Sequence, residues 1–137
     1  ESAAGVLEFV GALLGGFDCE VSLFHVIRSN GEGQPEYQHI FSSKEYTRAA
    51  VKEMASTLKA AQTKLIDMGL KADKVSTQID EKAISRAGTI VNRAKQEDFG
   101  TIVMGRRGHS HVRDFFIGRV TNKVIHLARD RTVWVVR

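Results

Sequence analysis

The sequence predicts an α/β fold: an open, doubly wound, mostly parallel sheet with helices on both faces. Three observations predict it. Apolar periodicity alternates between helix-like and strand-like segments along the chain. The strand-like runs are short, rich in β-branched residues and largely apolar, as strands covered on both faces are. The length of 137 residues is the commonest size for one domain and suffices to bury most apolar surface in one core.

The elements follow in order. Val6, Leu7, Phe9, Val10, Leu13 and Leu14 line one broad helical face, which Gly15-Gly16 closes. Glu20 to Ile27 reads as a buried strand, followed by a polar loop carrying Gly31, Gly33 and the single proline, Pro35. From Ser43 to Met68 the positions Ala50, Val51, Met54, Ala55, Leu58, Ala61, Leu65 and Met68 recur at helical spacing until Gly69 ends the run. Val75 to Ile79 is a short strand. Ile84 to Ala94 is a helix with Ile84, Ala87, Ile90, Val91 and Ala94 expected to face inward, and Thr101 to Met104 is a compact buried strand. A last helix spans about Val120 to Ala128, and Thr132 to Val136 closes the chain as a strand. The pattern opens on a helix and on Glu1 rather than a start methionine, so a segment upstream is expected.

Composition narrows the function classes. No apolar stretch approaches the roughly 20 residues of a membrane-spanning helix. No signal-peptide pattern is present, and Cys19 is the only cysteine, so no intrachain disulfide forms; a reducing cytoplasm is the simplest compartment. The net charge of +4, with a pI near 9.4, raises nucleic-acid binding through Arg106, Arg107 and Arg113. Few aromatic residues are available to stack bases, and the basic residues are dispersed except between Arg106 and Arg119.

That cluster holds the motif with the most chemistry in it. Gly105-Arg106-Arg107-Gly108 follows the strand TIVM; nine residues later Gly118-Arg119-Val120-Thr121 starts a helix. Glycines let backbone approach a phosphate, and the unpaired amides and dipole of a helix N-terminus favour negative charge. In doubly wound sheets the ligand crevice lies beyond the carboxyl ends of the strands. Arg107 and Arg119 add positive charge and Thr121 a hydroxyl. On spacing alone, the glycines serve a tight turn and a helix start equally well.

The arrangement G-x-x-G, nine residues, G, between VMG and a helix leading to the terminal strand VWVVR, resembles the ATP-binding universal stress proteins. Glu1-Ser2-Ala3 looks like the end of that family's D-x-S-E segment, and Leu23 to Ile27 its second strand. The resemblance implies a five-stranded sheet whose first strand is missing from this chain, a single domain truncated at its N-terminus, and a role in stress response. The implied ligand is ATP, alone or as its magnesium complex. Val26 would meet the adenine through its backbone, and Met104 and Gly105 would border adenine and ribose. Arg107, Gly108, Gly118, Arg119, Val120 and Thr121 would surround ribose and phosphates. Arg119 stands where the family usually carries a small hydroxyl residue, and an arginine there can pair with phosphate bidentately. The family dimerises through its last strand, which implies a homodimer through Thr132 to Val136 with Trp134 at the contact.

Other candidates carry less. His25 reads as a core histidine and His126 as a cation at a helix C-terminus. His109 and His111, with Asp114, form a poor metal set. Cys19 has no C-x-x-C companion, and Phe115, Phe116 and Ile117 read as core contact or dimer surface. An ATPase or autophosphorylating protein would depend on Asp114 and Thr121. The remaining alternative is a stress-response interaction protein that binds no nucleotide.

Overall fold

The computed structural model describes residues 2–28, 43–106 and 117–137. Its elements are α1 (Ser2–Leu14), β1 (Val21–Arg28), α2 (Ser43–Asp67), a 3-10 turn (Ala72–Lys74), β2 (Val75–Ala83), α3 (Arg86–Gln96), β3 (Thr101–Gly105), α4 (Arg119–Leu127) and β4 (Thr132–Val136). The order is the one the periodicity predicts. Among the described residues the strands form two parallel pairs, β1 with β2 and β3 with β4, and no strand pairing joins β1 to β3.

The two pairs are joined instead through their faces. On one face Val10 of α1 and Leu65 of α2 form a core with Leu70 and Val75, against which Val21 and Leu23 of β1 and Val103 of β3 pack. On the other, Ala87, Val91 and Ala94 of α3 meet Val124 of α4, Ala128 and Ile102 of β3. Ile102 and Val103 are neighbours that point to opposite faces, as successive strand residues must, so β3 is covered on both sides. α3 also reaches the first pair: the Arg93 guanidinium lies 5.6 Å from the centre of the Phe24 ring of β1 and 3.3 Å from the Asp80 carboxylate of β2.

Glycines set how closely α1 meets α2. A Cβ on Gly11 would run into the Met68 side chain, and one on Gly15 into the Met68 carbonyl oxygen. α2 ends in a Schellman motif: Gly69 takes φ of 108°, its amide donates to Ile66, and Leu70 donates back to Leu65. α3 ends the same way with Asp98 in the left-handed position at φ 57°, Asp98 donating to Lys95 and Phe99 to Ala94.

Two expectations change. Ile84 does not face the core: it is 90 % exposed, because Ser85 caps α3 by accepting from the Gly88 amide and so leaves Ile84 outside the helix. β2 runs on to Ala83, with an irregular register between Val26 and Arg28 of β1. Asp80, Glu81 and Lys82, which lead to Ala83, are charged, which is why periodicity gave no sign of a strand.

Candidate functional site

The site is built where β3 gives way to α4. β3 is short, apolar and flanked by cores on both faces, so its end is fixed, and the ladder with β4 runs from Thr101 opposite Thr132 to Gly105 opposite Val136. The Arg106 amide extends it by donating to the Val136 carbonyl at 2.8 Å, and the Gly118 amide then donates to the Arg106 carbonyl at 2.8 Å. The two ends of the glycine loop are thereby pinned together. Arg107 and Gly108 lie outside the described residues, as do His109, His111, Arg113, Asp114, Phe115 and Phe116.

Gly118 is the N-cap of α4. Its φ of −58° and ψ of 153° are open to any residue, so the backbone does not demand glycine. No side chain caps the helix, and the first turn holds no acid but opens on Arg119. Stability favours a Ser, Thr, Asp or Asn cap, with glycine only slightly behind, and acidic residues in the first turn. At α3 the chain does supply a capping side chain, Ser85, although no acid follows it there either. The first helical bond runs from the Asn122 amide to the Gly118 carbonyl, so the amides of Arg119, Val120 and Thr121 have no partner within the helix. A short array of N–H groups, next to a missing side chain and a guanidinium, is what an oxyanion such as phosphate requires.

The remaining predicted residues have definite places. Thr121 is 4 % exposed, and its hydroxyl donates to the Gly105 carbonyl at 2.9 Å rather than lying open. Sequence reasoning missed this link, although Thr121 shares its inward stripe with Val124 and Ala128, which signals a buried hydroxyl. Val120 and Met104 pack against the α3 and α4 core. Val26 is buried near the carboxyl end of β1, opposite Asp80 of β2. The structure thus brings Gly105, Arg106, Gly118 and Thr121 into one bonded unit, with Val26 on the other strand pair. Among the described residues no cluster of His, Cys, Asp and Glu could hold a metal ion, and no helix is long and apolar enough to cross a membrane.

The model of the universal stress protein family matches residues 1–137. The chain belongs to this family. Among solved structures, this universal stress protein domain is similar to the hypothetical protein MJ0577, the subject of a structure-based assignment of biochemical function. The TM-score is 0.79 at 26% identity, over 99% of this chain and 87% of that one. It is also similar in fold to the hypothetical protein PH0823, with a TM-score of 0.68 at 21% identity over 99% and 87% of the two chains. No curated protein sequence matches significantly.

Proposed function

We propose that this universal stress protein domain binds ATP, alone or as its magnesium complex, with the phosphates at the N-terminus of α4. The observation that carries the reading is the Gly118 cap: a helix start without a capping side chain or an acid, on a backbone that any residue could adopt, with no partner within the helix for its first-turn amides. Gly118, Arg119, Val120 and Thr121 take the phosphates, Thr121 through its amide because its hydroxyl is given to Gly105. Arg107 and Gly108 complete the loop over ribose and phosphate. Val26, Met104 and Gly105 border the base and ribose, as the G-x-x-G, nine residues, G motif implies.

In this reading the bound nucleotide stabilises one conformation or dimer in the reducing cytoplasm and so reports energy state to a partner. The homodimer forms through β4, whose outer edge is unpaired among the described residues and whose Val135 is exposed. The sheet is five-stranded, with one more parallel strand between β1 and β3; the lack of a β1–β3 ladder among the described residues and the α1 and α2 core, which takes in Val21 and Leu23 of β1 and Val103 of β3, support it. Mass spectrometry of the nucleotide released when natively purified protein is denatured tests the reading. ATP is expected. A protein that carries no nucleotide and takes up none on titration refutes it.

A further inference from the structure

Charge divides this chain unevenly. Residues 101–137 hold eight Lys or Arg against two Asp, a net +6, whereas residues 1–100 hold twelve against fourteen Asp or Glu, a net −2. In the first part cations meet acids: Lys64 pairs with Glu8, Lys71 with Asp18, Lys74 with Glu20, and Arg93 with Asp80 and Glu97. In the second part Asp130 is the one described side-chain carboxylate. It is spent on Arg131 at 2.9 Å, whose hydrogen bond holds the Asp130 carboxyl below its ordinary value.

The excess is concentrated on α4. Thr121, Val124 and Ala128 turn inward, so the helical repeat of 100° per residue puts Lys123 and His126 along the middle of the outer face, in line with Arg119 of the proposed phosphate site at its N-terminal end. All three are exposed, and neither Arg119 nor Lys123 forms an ion pair among the described residues. Two large aliphatic side chains flank this stripe, Leu127 at 50 % exposure on one side and Ile125 at 38 % on the other.

We infer that the outer face of α4 docks an acidic segment of a partner protein that also carries large apolar side chains. Charge complementarity assigns the sign, since a face this basic with no acid of its own repels cationic partners and steers anionic ones. The flanking Ile125 and Leu127 assign the class. A phosphodiester backbone offers aliphatic side chains nothing to pack against, whereas a protein segment covers them and gains apolar burial on both sides of the charged stripe. Membrane surfaces favour helices with a broad apolar face, and here the centre of the exposed face is charged.

The probe is a fluorescein-labelled helical peptide of Glu, Leu and Ala, titrated by anisotropy against the intact chain. Lys123→Glu and Leu127→Ser are each expected to lower its affinity about tenfold. Because both residues are exposed, both variants should melt with the wild type, and both should titrate ATP as the wild type does, which separates this surface from the phosphate site. Equal affinity for wild type and both variants overturns the inference. So does poly-glutamate binding as tightly as the Glu-Leu-Ala peptide, which would reduce the face to charge alone. Displacement of the peptide by a single-stranded oligodeoxynucleotide or by phosphatidylserine vesicles at lower concentration assigns the face to those classes and overturns it too.

Discussion

The Thr121 hydroxyl donates to the Gly105 carbonyl at 2.9 Å, and this partly buried bond ties the end of β3 to the first turn of α4. The Gly118 amide, bonded to the Arg106 carbonyl, makes a second tie beside it. Together they hold the helix start in place however the intervening loop is arranged. Thr121→Val keeps the shape but strands the Gly105 carbonyl, and is expected to cost about 1–3 kcal/mol in chemical denaturation. Thr121→Ser retains the donor and should lose less. If Val and Ser variants unfold at the same denaturant concentration, the hydroxyl is not the tie.

Gly11 and Gly15 let α1 approach the end of α2, but their substitutions should differ. Alanine at Gly11 collides with the Met68 side chain, so Gly11→Ala should destabilise by about 1–2 kcal/mol. In a Met68→Ala background the same change should be neutral or favourable, since alanine is the better helix former by about 1 kcal/mol. Gly15→Ala meets the Met68 carbonyl, which no side-chain change removes, and its cost should persist in that background.

Asp98 holds the left-handed position that ends α3. A left-handed backbone strains any residue with a Cβ by about 1 kcal/mol, and glycine returns part of that through the entropy of the unfolded chain. Asp98→Gly is therefore expected to raise stability by about 0.5 kcal/mol and Asp98→Ala to lower it, both measured as shifts in the unfolding midpoint.

Trp134 of β4 stacks edge-on against Phe9 of α1, with ring centres 6.1 Å apart, while Val135 stays exposed on the same strand. Val135→Lys should leave the fold intact and move the light-scattering mass from dimer to monomer. An unchanged dimer would place the contact elsewhere.

Much of this was legible in the sequence. The order of helices and strands followed from periodicity, because buried faces of each element repeat at its own spacing. The glycine loop was legible too, since Gly105 and Gly118 bracket a strand end and a helix start. Ile84 was misplaced because an aliphatic residue one step before a cap looks like part of the helix it precedes. The Gly11 contact was invisible, since it depends on where Met68 arrives from 57 positions away in the chain. So was the Thr121 bond, which needs α4 to lie against the end of β3 before its acceptor exists. The basic face of α4 was diluted in a composition read as a whole, and it stood out only once burial separated the outer residues from the inner ones.

The central claim is that Gly118 keeps space and free amides for phosphate. Isothermal titration of ATP into wild type, Gly118→Val and Arg119→Ser tests it most directly. The account predicts that wild type and Arg119→Ser bind, while Gly118→Val loses binding with little change in its melting temperature, because φ and ψ at that position accept any residue. Equal ATP affinity for wild type and Gly118→Val would contradict it.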